Sequence, residues 1–573
     1  MDSPSRQSIN AQGWPETMGP ESLDLSHWEF PDISWDPCVD WSTDSSPLRD
    51  QPGSDAGLNT FHPPHHEPAA IASHPEPQTD KTLSIHMLQK DLQSMVNPAE
   101  QVTAAPGCLL DETARHVATG FDLSSLYSCQ PVLDSDHPHA AQMKRAVELL
   151  TGEIVGEETY HPLHDRQKLS VGPLLNCEPR IGSYIQACFD SPLVGVLLFL
   201  NIPCAQECVE AALKSHCSDP ATVVVAYALL ALGCYLVSIQ SGIRSAVEGI
   251  ARATQYFRRA WSELYCLSTR DANGILVMII FADKSGHSSK SRLINMGVQC
   301  VQSLGLHNTQ RLRQACTGTG DERSLKNAFW VLYAMEKADA AYTGRFSIMS
   351  DKLTDHAPSD GLQHADEARL TLQCLYGRLC DRVMDSLYSQ TALRTSRPDM
   401  CRHIEDTYGL LQSWLGIFQT HHKSASSSNG RLSGTRDQTE TETYLNSYFL
   451  TFLIHGKWLQ LAQDGLDSEE TEAYERSQTR CVAAARAVLE RCSQQTHAEL
   501  LASLRFRDLP KLAACILVLT GQARDTLDEE RVYLRMACGI YSRLGIFMPV
   551  RVNLLLELVD SIGTICNGDT GIR

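Results

Sequence analysis

From about residue 180 to about residue 565, apolar side chains return at every third or fourth position, segment after segment. Strand-type alternation is nearly absent from the same stretch, so the spacing predicts an all-α, multi-helical architecture. The periodic segments are 181–189, 205–214, 221–240, 244–267, 271–282, 288–305, 322–341, 366–394, 399–419, 440–464, 470–493, 498–523, 526–546 and 550–563. A serine- and glycine-rich piece, 424–442, reads as a loop between two of them. With 573 residues, 43% of them hydrophobic, the chain can bury a large core. No fixed-period repeat is visible.

One of these segments is apolar on every side. Residues 220–243 hold no Asp, Glu, Lys or Arg over a length that would span a bilayer. Thr222, Ser238, Gln240 and Ser241 dilute the run, and it has no aromatic belt and no basic flank before it. The expectation is a central helix buried all round, with no membrane as partner.

Charge is distributed unevenly. The formal net charge is −19, and residues 1–80 hold 14 acidic and 2 basic side chains, a net −12. Twelve of the 26 prolines and four of the eight tryptophans are there too. Such a segment cannot bury enough apolar surface to offset its ordering entropy, so 1–80 reads as a disordered acidic arm. Residues 81–178 read as a mixed linker with short helices. One of these carries Ile85, Leu88, Leu92 and Met95 at heptad spacing before Pro98 stops it, and another covers 139–151. The helical domain follows at 179–565, with a tail at 566–573.

Within the arm, SLDLSHWEFPDISWDPCVDW interleaves Trp28, Phe30, Trp35 and Trp41 with Asp and Glu. Acidic neighbours keep aromatic rings solvated and available to dock into a partner's apolar groove. That is the composition of an acidic activation segment. A generic acidic tail has the same charge, and four aromatics in the fourteen residues from Trp28 to Trp41 favour the binding role. His62, His65 and His66, in FHPPHHEP, have no rigid frame and read as solvated loop histidines.

Other chemistry is sparse. The first residues show no basic region followed by an apolar run, so the 20 cysteines are expected as reduced cytosolic or nuclear thiols, mostly buried. C-x-x-C does not occur. Cys204 and Cys208 fall one helical turn apart with Cys217 beyond, and they lack a second pair for zinc. There is no nucleophile elbow, Walker loop, dinucleotide fingerprint or H-E-x-x-H. The Thr317–Asp321 string reads as a loop, and HPLH at 161–164 has no third ligand nearby. Arg258-Arg259 and Arg311 with Arg313 are too sparse for a nucleic-acid face, and the whole chain is acidic. The expectation is therefore no catalytic residue, no metal, no cofactor and no enzyme.

Two segments carry more specific information. LINMGVQCVQSLGLHNTQ (293–310) is a helix ending in a run that includes Gly305 and His307. ERSLKNAFWVLYAMEKADAAYTGRFSIMSD (322–351) presents Phe329, Trp330, Tyr333, Glu336 and Lys337, then Gly344 and Arg345. The spacing turns the aromatic edge inward and lets Lys337 snorkel to solvent; Gly344 suits a helix C-cap, and Arg345 suits freed carbonyls or a nearby carboxylate. Together these motifs resemble the middle homology region of fungal-specific transcription factors, with Phe346 where that family usually has proline.

The resemblance implies a regulatory helical domain and a nuclear transcription regulator. It suggests activation of a fungal gene set, plausibly a secondary-metabolite biosynthetic gene cluster. Most members also carry a zinc cluster of the form C-x2-C-x6-C repeated, and residues 1–80 hold one cysteine, Cys38. Three readings follow: a co-regulator recruited by a DNA-bound zinc-cluster factor, a factor that lost its cluster, or an incomplete gene model. Coactivators are the expected partners of the arm, DNA contact is indirect or unassigned, and a homodimer is compatible. The alternative is a DNA-independent helical scaffold or inhibitor that dimerises with a zinc-cluster factor.

Overall fold

The computed structural model describes residues 180–191, 197–213, 219–264, 272–286, 289–316, 322–358, 365–428, 433–461, 466–524 and 527–547. The acidic arm, the linker, the 317–321 string, the 550–563 segment and the tail lie outside them.

Among the described residues there are helices and turns and no strand. The first group is α1 (Ile181–Asp190), α2 (Ile202–Leu213), α3 (Pro220–Ile239), α4 (Ile243–Glu263) and α5 (Ala272–Ser285). The middle group is α6 (Lys290–Leu304), α7 (Thr309–Cys316), α8 (Glu322–Tyr342), α9 (Ala365–Tyr388) and α10 (Arg397–Ser428). The last is α11 (Ser433–Leu461), α12 (Ser468–Gln494), α13 (His497–Ala502), α14 (Leu509–Arg524) and α15 (Leu527–Leu544). Single 3-10 turns stand at Asp351–Leu353, Ala392–Arg394 and Leu504–Phe506.

The uncharged segment is α3, with a mean hydropathy of 2.2 and a span long enough to cross a membrane. Here it is the hub of a bundle: α1, α2, α4 and α5 pack round it, and almost every side chain from Val223 to Ile239 is buried. Its start is set locally. Asp219 accepts from the Ala221 and Thr222 amides, and Pro220 occupies the first turn, where its missing N–H costs nothing. At Gly233 the helix lies directly against α1, because a Cβ there would overlap the Tyr184 backbone.

A second bundle forms round α12, with α11, α14 and α15 against it. Between the two, α6 packs on α5 and α8, α8 on α9, and α10 on α9 and α11. The chain then returns: α13 and the 504–506 turn pack on α3 and α5. The Tyr235 hydroxyl of α3 donates to the Leu501 carbonyl at 2.7 Å, fastening that return.

Two expectations are corrected, and one helix was not marked. The single helix expected at 498–523 is α13, a 3-10 turn and α14. Pro510, which periodicity overlooks, fits only a first helical turn and so starts a new helix. The 424–442 loop is mostly helix, since α10 runs to Ser428 and α11 begins at Ser433. Serine and glycine cost a helix only about 0.5–1 kcal/mol each relative to alanine, which long flanking helices can override. Helix α7 lies beyond the segments that periodicity marked; Asn308 caps it locally, accepting from the Arg311 amide at 3.0 Å, and the distant Asp355 accepts from the Thr309 amide.

Candidate functional site

The run Ser303–His307 closes α6 in a left-handed turn. Gly305 has φ 67°, its amide bonds the Gln302 carbonyl, and the Leu306 amide reaches back to Val301 at 3.0 Å. This is a Schellman closure, and it buries Leu306 completely. α8 ends the same way. Gly344 has φ 67°, its amide bonds Ala341, and the Arg345 amide bonds Ala340 at 2.7 Å. Any residue with a Cβ is strained at both positions.

The first turn meets α8 through residues that the motif spacing did not mark. His356 stands between that turn and Trp330. The Trp330 indole donates to its Nδ1 at 3.1 Å, so its other nitrogen, Nε2, donates to the Leu306 carbonyl at 2.7 Å. Burial lowers the His356 pKa, which keeps this neutral tautomer in place. Phe329 and Trp330 both present edge-to-face contacts to the His356 ring, with centroids 5.1 and 5.6 Å away. Beside it, Asp355 caps α7, accepting from the Thr309 amide and hydroxyl at 2.7 Å each and from Asn308 at 2.9 Å. His307 itself is half-buried, and its carbonyl accepts from the Asp355 amide.

On α8, Phe329, Trp330 and Tyr333 point inward as the spacing predicts. Lys337 does not snorkel: it is 1% exposed. Its ammonium lies 2.6 Å from Asp381 of α9 and 3.6 Å from Asp351, over the Tyr333 ring. The Tyr333 hydroxyl donates to the same Asp351, which also pairs with Arg378. Those carboxylates come from other parts of the chain, which is why the helix pattern alone pointed Lys337 outward. Glu336 is buried and accepts from the Ser347 hydroxyl at 2.6 Å and the Ile348 amide at 2.8 Å, holding the segment after Gly344 against the helix. Burial raises its pKa.

From Arg345 an ion chain runs inward, alternating in sign. Arg345 pairs with Asp339, which faces Lys290 at 3.4 Å; Lys290 pairs with Asp283 at 2.7 Å. Arg505, on the returning 3-10 turn, lies 3.6 Å from Asp283 and 2.9 Å from Glu442, and Glu442 holds Lys284 at 3.0 Å. Burial alone would raise both carboxylates. Lys290, Arg505 and Lys284 hold Asp283 well below the usual carboxyl range, and Lys284, Arg505 and Arg369 lower Glu442. The two carboxylates answer in kind. Burial lowers Lys290 and Arg505, yet the carboxylates facing each of them raise both above their ordinary values. One signal in the sequence did mark this site: Asp283-Lys284 stands alone at the end of the apolar run ILVMIIFA. Such a pair in a buried helix needs partners of opposite charge.

This arrangement holds α5, α6, α8, α11 and the returning turn against one another. Its polar groups are committed to one another, and its charges nearly balance. A shallow depression of about 460 Å³ opens to solvent over Asn308, Thr309, Arg313 and Asp355, and Asp355 there is already taken up by Thr309. Trp28, Phe30, Trp35 and Trp41 lie outside the described residues.

Residues 199–360, which contain both glycine turns, match the fungal specific transcription factor domain. The chain is similar to the fumonisin cluster-specific transcription factor of Gibberella moniliformis, 22% identical over 381 residues, covering 59% of this chain and 56% of that protein. It is also similar to the AAl-toxin cluster-specific transcription factor of Alternaria alternata, 28% identical over 212 residues, covering 36% of this chain and 33% of that protein. A third relative, AM-toxin biosynthesis protein 12 of Alternaria alternata, is 26% identical over 124 residues, 20% of this chain and 36% of that protein. The chain thus spans about half, or less, of the length of these relatives. No solved structure matches it.

Proposed function

We propose that this chain, whose residues 199–360 carry the fungal-specific transcription factor domain, is a non-enzymatic nuclear regulator that activates a secondary-metabolite gene cluster. The observation that carries this reading is the family match over a segment in which Phe329, Trp330, Tyr333, Glu336 and Lys337 are buried together on one helix. The gene-cluster assignment leans on relatives named as cluster-specific factors for fumonisin and AAl-toxin. In this reading the helical body is the regulatory scaffold, and residues 1–80 recruit coactivator through Trp28, Phe30, Trp35 and Trp41. DNA contact in this reading is indirect, through a DNA-bound zinc-cluster partner; the 573 residues hold no C-x2-C-x6-C pattern.

The experiment joins the chain to a heterologous DNA-binding domain upstream of a reporter. The reading expects transcription that falls to background when the four aromatic residues become alanine. Reporter output indifferent to those four changes would remove the arm from the account. Repression of a zinc-cluster factor's own targets on overexpression would instead select the scaffold-inhibitor reading.

A further inference from the structure

The segment that follows the Gly344 turn shows apolar side chains to solvent. Among the described residues seven large apolar side chains stay exposed, and three of them, Phe346, Ile348 and Leu353, fall within eight consecutive positions. Phe346 is 60% exposed, Ile348 50% and Leu353 71%, while Met349 between them is buried. The segment is held from beneath. Glu336 accepts from the Ser347 hydroxyl and the Ile348 amide, Asp351 takes the Tyr333 hydroxyl and pairs with Arg378, and the Leu353 amide bonds the Ser350 carbonyl at 3.2 Å. Side chains fixed on such a frame have little freedom left to lose on docking. A cluster of exposed apolar groups is the usual mark of an interaction site.

Charge decides which partner this face suits. The ionised groups beside it are matched within the chain: Arg345 with Asp339, Asp351 with Arg378, and Asp381 of α9 with Lys337. The rim adds one exposed group of each sign, Lys352 next to Leu353, and Asp385 one helical turn beyond Asp381. A strongly acidic or strongly basic partner finds no uncompensated charge here. A second copy brings an equal apolar face and a rim of both signs, which is what a two-fold contact requires.

We propose that this face is the contact between two copies of the chain, related by a two-fold axis, with Phe346, Ile348 and Leu353 at its centre. The area sets its strength. The three side chains leave on the order of 350 Å² of apolar surface open on each copy. With a polar rim in the usual proportion, the two copies together bury about 1,200 Å², the low end for specific complexes. A dimer of micromolar Kd follows, populated as concentration rises. This contact does not rest on the regulatory reading, and it gives the homodimer that the sequence left open a definite face.

The test follows sedimentation of the full chain over a concentration series spanning the micromolar range. The proposal expects a monomer–dimer equilibrium whose Kd rises roughly a hundredfold when Phe346→Ala and Leu353→Ala are combined. Val532→Ala, at a side chain 57% exposed on α15, should leave it unchanged. Replacing Phe346 with p-benzoylphenylalanine, in a mixture of ordinary and heavy-nitrogen-labelled chains, then locates the contact. Light should join residues 344–353 of one chain to the same segment or to α9 of a differently labelled one. A monomer at every concentration, a dimer indifferent to the alanine pair, crosslinks confined to single chains, or crosslinks to another face would each overturn it. Thermal melts check that the variants stay folded; both side chains are exposed, so their Tm should match that of the unaltered chain.

Discussion

His356 shows how much a single side chain can settle. It takes the indole proton of Trp330 on one nitrogen and gives its own to the Leu306 carbonyl on the other, so α8 and the α6 turn are locked by one neutral ring. His356→Ala would leave a buried donor and a buried acceptor without partners, each worth about 1–3 kcal/mol. The expected loss is roughly 2–5 kcal/mol, read as a lower denaturation midpoint; a loss within the scatter of surface substitutions would mean that water replaces the ring. The Phe329-Trp330-Tyr333 core was legible from spacing. His356 was not, because its partners lie 26 and 50 residues away and nothing local marks it.

Elements owe their ends to short-range chemistry and their neighbours to sterics. Capping boxes at Asp467/Glu470 and Thr496/Glu499 start α12 and α13, and the glycine turns stop α6 and α8. The Schellman turns were readable because only glycine is comfortable at those dihedrals. The close approach of α1 to α3 at Gly233 was not, since a glycine inside an apolar helix looks the same with or without a neighbour. Gly233→Ala should cost about 1–3 kcal/mol or more, because backbone must move to admit the methyl. Gly416→Ala, in α10 with open space round its Cβ position, should add about 0.5–1 kcal/mol. Equal effects of the two in parallel thermal melts would refute the close contact.

At the scale of the whole molecule, the ion chain joins α5, α6, α8, α11 and the returning turn. Arg505 is its pivot. Arg505→Ala would remove the cation shared by Asp283 and Glu442 and leave each with one lysine, a change expected to cost about 1.5–3 kcal/mol, with Arg505→Lys recovering part of it. Asp283 and Glu442 are held below their ordinary values of 3.8 and 4.5, so their ionised forms stabilise the fold above those values. That contribution is lost as pH falls through and below them. Glu336 and Asp381, raised by burial, act in the opposite sense, since their ionisation weakens the fold as pH climbs. The denaturation midpoint should therefore drop as pH goes below about 4.5, and the drop should be shallower in Asp283→Asn. An acid limb of the same slope in both proteins would place the effect on other carboxylates.

The sequence by itself determined the helical class, the burial of the uncharged α3 segment and the two glycine turns. Each depends on nearest neighbours along the chain: a period, a composition, or a dihedral that one residue type tolerates. Only the tertiary structure decided that Lys337 is buried rather than solvated, that His356 and Asp355 tie the motif together, and that Arg505 returns to divide two carboxylates. Those outcomes turn on which distant charge or ring arrives at a given face, and a helix's periodicity says which face is inward without saying what waits there.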